Sequence, residues 1–197
     1  MRIGLVTDTH LPNEVRHLGE LGPQVEAFLR SVDLILHGGD IVGPSVLEWL
    51  EQFAPVLAAR GNNDGFGHDP RVQPIQFLDV ESWRIGMRHD LHETDPVERL
   101  RERSFRSERV DIMISGHTHY ERLDYREGAV IINSGSPVFP RHFSTRLGTV
   151  GLLDITRSEL HAEIVVLGHT EGKPNPGAPM SLRLRDGQVI TQTNGAG

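Results

Sequence analysis

Cysteine is absent from the 197-residue chain, which excludes disulfides and thiolate metal sites together, so any metal must be held by nitrogen and oxygen. Long apolar runs are lacking too. No stretch approaches the ~20 residues of a bilayer span, and the start "MRIGLVTDTH" has no extended apolar segment of the signal-peptide kind. A cytoplasmic chain without membrane contact is therefore expected. Clustered positive charge is also missing: the formal charge is -7 and the 20 basic residues, almost all arginine, are dispersed. No extended nucleic-acid surface is expected, although an anion could be held locally. What remains is a globular composition, 37% hydrophobic and 24% charged, at a length that supports one well-buried core.

Strand-like and helix-like segments alternate through the first half. "RIGLVTD" leads to a helix over 23–31, "DLILHG" to a helix over "PSVLEWLEQF", and "PVLAARG" completes a βαβαβ run of the kind that builds parallel sheets. Pro23 and Pro44 stand where a first helical turn tolerates proline, and Leu47, Leu50 and Trp49 supply an apolar face. Residues 61–74, rich in glycine, asparagine and proline, predict a long loop. Strands are expected at "IQFLDVES" and "RIGMRH". A charged helix over 95–108 follows, with Asp95 as cap, Pro96 first and Glu98 third, and it leads to the buried strand "VDIMI". Further strands are expected at 121–133, 145–156 and 159–167. From 168 onward the chain reads as turn-rich, with a hairpin around Asp186 and Gly187. The expected organisation is one domain over 1–167 followed by an extension over 168–197.

In α/β sheets ligands bind beyond the carboxyl ends of the parallel strands, and the polar residues there are not a random set. Asp8 and His10 follow the first strand, His37 and Asp40 the second, Asn62 and Asp64 the third. His89 follows "RIGMR", and His117 and His119 follow "VDIMIS". In extended chain Asp8 and His10 would lie on one side, roughly 6.6 Å apart at Cα, where one cation could bridge them. The same holds for His117 and His119, whereas a turn at Gly116 would aim them at two neighbouring cations. Carboxylate, imidazole and amide oxygen suit manganese, iron, zinc or nickel better than copper(I) or an iron-sulfur cluster. Singly, each fragment has a plain meaning: a polar pair, a capping turn in "GGD", a turn in "GNND", a hydrogen-bonded structural histidine at His89. Independent turns, however, have no reason to recur in order at the same end of successive strands.

These residues resemble the calcineurin-like metallophosphoesterase family. Its pattern of D-x-H, G-D, G-N, H and G-H-x-H stands here as Asp8-Thr9-His10, Gly39-Asp40, Gly61-Asn62, His89 and Gly116-His117-Thr118-His119. "INSGSPVFPR" at 132–141 is similar to the I-N-P-G-S segment of the small bacterial and archaeal phosphodiesterase branch, to which the retromer-type scaffold subunit also belongs. The resemblance covers about residues 1–167. It implies an α/β fold, a four-layer αββα sandwich of two mixed β-sheets flanked by helices, with two divalent metal ions at the strand ends. Asp8, His10, Asp40 and His119 would hold the first ion, and Asn62, His89 and His117 the second, with Asp40 bridging. His117 and His119 would then serve different ions.

The resemblance further implies phosphoester hydrolysis, phosphodiesters first, by a hydroxide formed from water shared between ions ~3.5 to 4 Å apart. Asp40, Asn62 and His89 would stand at the catalytic centre. Manganese is the expected metal, with iron, zinc and nickel as alternatives. Asn62, Arg60, Arg141 and His37 are candidate substrate contacts, the arginines to neutralise phosphate charge and His37 alternatively to support a ligand. The implied partner is a phosphoester or inorganic phosphate, and homo-oligomerisation is left open. Asn63 departs from a histidine common in the family, which leaves the general acid unassigned and favours leaving groups needing little protonation. Asp90 follows His89 where glycine is usual, and Ser134 replaces the proline of I-N-P-G-S. His92 is a further candidate contact. A binding or scaffold protein on the same fold and a small-molecule phosphomonoesterase are the alternatives.

Overall fold

Strands that are apolar at nearly every position must be covered on both faces, and that requirement builds this molecule in layers. In the computed structural model, which describes residues 1–195, β1 (Arg2–Val6), β2 (Leu34–His37) and β3 (Val56–Ala59) run parallel. Alternate residues of a strand take opposite faces. Ile3, Leu5, Leu34 and Leu36 enter the core between two sheets. Ile35, Val56 and Ala58 instead meet α1 (Gly22–Leu29) and α2 (Pro44–Leu50) through Val25, Leu29, Leu47 and Leu50.

The second sheet repeats this division. In β7 (Ile112–Ser115) and β9 (Ala129–Ser134), Ile112, Ile114, Val130 and Ile132 face inward. Met113, Ala129 and Ile131 face outward, against Val97 and Leu100 of α3 (Val97–Ser104) and against Phe105. The remaining strands are β4 (Val72–Gln73), β5 (Gln76–Val80), β6 (Trp83–Met87), β8 (Glu121–Arg126), β10 (Thr149–Ile155), β11 (Glu159–Val166), β12 (Met180–Arg185) and β13 (Gln188–Thr193). One sheet has the order β13-β12-β11-β10-β1-β2-β3-β4 and the other β5-β6-β7-β9-β8. Both are mixed: β1 to β4 are parallel in the first and β6, β7 and β9 in the second. With helices outside each sheet, the architecture is the four-layer αββα sandwich.

Three local expectations are corrected. The helix expected over 95–108 is capped by Pro96 (φ -53°, ψ 146°) and not by Asp95, and it stops at Ser104. Proline loses no hydrogen bond in that position, while Phe105 turns into the core and Arg106 and Ser107 take positive φ. The stretch 121–133 is a hairpin, β8 and β9, because Glu127 and Gly128 adopt left-handed φ of 50° and 75°. The loop 61–74 ends in the short β4, which pairs with Ala58 and Ala59. Among the described residues no helix is long and apolar enough to cross a membrane.

Residues 180–193 form a hairpin that turns at Asp186 and Gly187, and β12 pairs with β11 from Arg185↔Glu159 to Met180↔Ile164. Leu182 and Leu184 are fully buried in the core between the sheets, whereas β13 is exposed along its length. Leu182→Ala is therefore expected to cost about 2–5 kcal/mol of unfolding free energy, as for other leucines deleted from packed cores. Denaturant melts check this, and a loss below about 0.5 kcal/mol would show that the hairpin packs loosely.

Candidate metal centre

The loops after β1, β2, β3, β6 and β7 turn their polar residues into one hollow. Asp8, His10 and His119 offer three ligand atoms within 4.8 Å of one another, and Asp40, His89 and His117 form a second such trio. Asp40 joins the two, since its Oδ2 lies 3.5 Å from Nε2 of His10 and 3.4 Å from Nε2 of His89. Asn62 attaches to the second trio through Oδ1, 3.2 Å from the same nitrogen of His89. The turn at Gly116 sends His119 to the first trio and His117 to the second. Asp8, His10, Asp40, His89 and His119 are buried, while Asn62 and His117 are exposed, so the hollow opens on the side of the second trio.

Outer partners set the protons on two imidazoles. Nδ1 of His89 lies 2.8 Å from the Gly38 carbonyl and Nδ1 of His119 lies 2.6 Å from that of Phe139. Both rings donate there, so in their neutral form each carries a lone pair on Nε2. The lone pair of His119 faces Nε2 of His10 at 3.1 Å and Oδ1 of Asp8 at 3.3 Å. The lone pair of His89 faces Asn62 and Asp40. Buried acceptors packed against acceptors need a proton or a cation between them.

In the metal-free protein that role falls to protons. Burial works against a charged His89, but its hydrogen bond to Asp40 and the charge of Asp8 outweigh it and push the pKa up to about 9. His10, also opposed by burial, is raised by Asp8. Burial would raise Asp8, yet hydrogen bonds with His10 and His119 hold it well below the usual carboxylate range. Asp40 is likewise opposed by burial and is held at about 2 by His89 and by the backbone and side chain of Asn63. Two carboxylates, four imidazoles and one amide, without sulfur, fit divalent cations of the hard to borderline kind.

The backbone that makes these turns is strained. Asp8, His10, Asp40, His117 and His119 all have φ between 49° and 70°, a left-handed region costing roughly 1–3 kcal/mol for a non-glycine residue. This corrects the expectation of an extended D-x-H: Asp8 and His10 converge through two left-handed residues, not through strand alternation. The motif glycines answer to close approach. A Cβ on Gly61 would lie 2.1 Å from the Asp40 nitrogen, and one on Gly116 would lie 2.1 Å from Oγ1 of Thr7.

A further layer of hydrogen bonds holds the candidate ligands in place, as is usual around metal-binding histidines. Oε2 of Glu14 lies 3.0 Å from Nδ1 of His10. Thr7 Oγ1 and the His117 backbone N–H donate to Asp8. The Asp64 carboxylate accepts the backbone N–H groups of Val42 and Gly61, tying the loop after β2 to the loop after β3. Asn133 donates to the Gly116 carbonyl and to Glu93, and Ser136 donates to the Asp8 carbonyl. Glu14, Glu93 and Ser136 escaped the sequence reading, as did His142, whose ring stacks on His119 at 3.6 Å. Glu14, four residues after His10, carried a local signal, and Ser136 lies within the segment 132–141 that resembles I-N-P-G-S.

The expected substrate contacts divide. His37 is fully buried: the Gly39 N–H donates to its Nδ1, its Nε2 donates to Oγ1 of Thr9, and burial lowers its pKa to about 4. It braces the loops after β1 and β2, and the expected contact with substrate is corrected accordingly. Arg141 is engaged with Glu121 at 2.7 Å and lies over the Tyr120 ring, so its charge is already balanced. Arg60 does line the open side beside Asn62, His89 and His117, together with Asp90. Asn63 turns inward, with its backbone and side-chain N–H groups both donating to Asp40. His92 is exposed.

Residues 1–158 match the family model described as the calcineurin-like phosphoesterase superfamily domain. The chain belongs to that superfamily. A probable metallophosphoesterase of Methanothermobacter thermautotrophicus is 36% identical over 169 residues, 85% of this chain and 94% of that protein. A phosphodiesterase of Methanocaldococcus jannaschii is 26% identical over 179 residues, 84% of this chain and 99% of that one. Among solved structures, Vps29 of Chaetomium thermophilum has a TM-score of 0.75 at 18% identity, covering 94% of this chain and 97% of the other, a likeness of fold alone. Superfamily members depend on metal, and the two trios are groups that could hold it.

The shifted groups make the metal-free fold sensitive to pH in a stated direction. His89, raised from 6.5 to about 9, contributes fully below pH 6.5, and the contribution is lost as pH rises through 9. Asp40, lowered from 3.8 to about 2, contributes above pH 3.8 and loses its contribution as pH falls through 2. Because His37, lowered from 6.5 to about 4, withdraws its contribution as pH falls below 6.5, melts in excess chelator should show a maximum near pH 6.5, with a loss on the order of 3 kcal/mol toward alkaline pH. A midpoint that rises from neutral to alkaline pH would contradict this electrostatic account.

Proposed function

We propose that this chain is a phosphoesterase that holds two divalent cations and hydrolyses phosphodiesters. The observation that carries the reading is the position of Asp40, whose Oδ2 stands 3.5 Å from His10 of one trio and 3.4 Å from His89 of the other. Asp8, His10, Asp40 and His119 hold one cation, and Asp40, Asn62, His89 and His117 the other. When bound, such a pair supplies ionised water at neutral pH and positive charge against the phosphoryl oxygens. Manganese is the first choice, and iron, zinc and nickel suit the same donors.

The protein's own groups do the rest. Asp8 and Asp40 keep their charge at any working pH, because their pKa values are depressed. Asn62 turns Oδ1 toward His89, which leaves its amide N–H groups on the open side to donate to a phosphoryl oxygen. Arg60, on the same side, adds charge there. The Asn63 amide, which stands where the family commonly has a histidine, is committed to Asp40, so position 63 supplies no acid to a poor leaving group. Esters of acidic alcohols are favoured accordingly. The Methanocaldococcus relative that is named a phosphodiesterase supports the diester preference.

Protein loaded with manganese should hydrolyse bis(p-nitrophenyl) phosphate faster than p-nitrophenyl phosphate. Asp40→Asn should lower kcat/KM by more than the roughly 100-fold that follows loss of an outer partner, and elemental analysis should show less bound metal. Activity that survives both chelation and this substitution sinks the reading. A protein that retains no transition metal and cleaves neither ester would be a binding module on this scaffold.

A further inference from the structure

On the open side of the centre, beyond Asn62, His89 and His117, lies a cavity of about 500 Å³, within the range of small-molecule sites. Its walls come from both sheets. Arg60 directly follows β3 of one sheet, Arg88 directly follows β6 of the other, and Pro74 and Ile75 belong to the crossover from β4 to β5 that links them.

Half-buried arginines elsewhere are mostly paired with carboxylates, Arg126 and Arg146 being exceptions. Arg71 is paired with Asp69 and Glu51, Arg84 with Asp79 and Glu108, Arg122 with Asp124, and Arg141 with Glu121. Among the described residues neither Arg60 nor Arg88 has a carboxylate partner. Arg60 Nη1 donates to the carbonyls of Asp64 and Phe66 at 3.0 and 3.3 Å, and Arg88 Nη1 donates to the carbonyl of Arg103 at 3.1 Å. Carbonyl oxygens orient a guanidinium without cancelling its charge. Two such groups on one cavity, in a chain whose formal charge is -7, make a local anion site set apart from the general field of the protein.

We infer that this cavity takes a second phosphate of the substrate, so that the preferred substrates are nucleotide-like phosphodiesters carrying one further phosphate near the scissile one. The inference rests on the phosphoesterase reading and specifies its substrate class. Pro74 and Ile75 offer an apolar wall to a base or another flat group. Asp90, exposed on the same cavity, suits a hydroxyl or amino donor, and its charge opposes a polyphosphate chain. One extra phosphate attached to an organic body matches the whole lining.

Calorimetry on the manganese-loaded full chain, with adenosine 3′,5′-bisphosphate and AMP as probes, reads this site without turnover. The bisphosphate should bind the wild type at least about tenfold more tightly, the scale of one charge-assisted hydrogen bond. Arg88→Gln should bring the affinity ratio to about one, and Arg88→Lys, which keeps the charge, should retain most of it. Misfolding would weaken both probes in parallel and leave the ratio in place. Equal affinities in the wild type, or a ratio that survives Arg88→Gln while AMP binds as it does to the wild type, would overturn the inference. Turnover of bis(p-nitrophenyl) phosphate by the same preparation separates the two ideas. Discrimination without turnover keeps the anion site and sinks the catalytic reading, whereas turnover with equal affinities does the reverse.

Discussion

Lone pairs directed at lone pairs inside a protein are tolerable only when positive charge is inserted among them, and this molecule is organised around such a place. Nε2 of His119 faces Nε2 of His10 across 3.1 Å, with the buried Asp8 carboxylate alongside. Nε2 of His89 faces an amide oxygen and the Asp40 carboxylate. The rings cannot turn away, because their outer nitrogens are held by Glu14, Phe139 and Gly38. A scaffold with softer walls would collapse or rotate to pair these groups with one another.

Rigid walls come from the layers. Parallel strands buried on both faces deliver the site loops from fixed positions, and the two sheets meet through a continuous apolar core that includes Leu5, Leu36, Met87, Ile114 and Ile132. That packing also sustains the left-handed conformations of five candidate ligands, each of which would relax if its flanking strand could shift. Stability in the core and strain at the rim are thus two aspects of one arrangement.

Much of this was legible in the linear order of residues, for a physical reason. Strands such as "DLILHG" and "VDIMI" are short and apolar throughout, and the polar residues after them must gather at one rim once the strands are parallel. Two kinds of information were hidden. Backbone handedness at Asp8, His10 and His119 is imposed by neighbouring loops and leaves no trace in side-chain spacing. Burial of His37, next to two glycines and the exposed-looking "GGD", follows from packing of the loop after β1 over it, as its contacts with Thr9 and Gly39 show. The early end of α3 is similar, since Phe105 enters the core with its backbone out of the helical region, at φ -126° and ψ 26°. Arg88 stood beside a recognised histidine, yet its meaning depends on Arg60, which belongs to the other sheet.

The burial pattern of the hollow has one more outcome. Asp8, His10 and His119 are almost sealed from solvent, while Asn62 and His117 stand at the surface. Cations held by these groups would differ in lability: the inner one would behave as a fixture of the fold, and the outer one would trade with the medium. Availability of metal in the surroundings would then govern the chemistry through one position only.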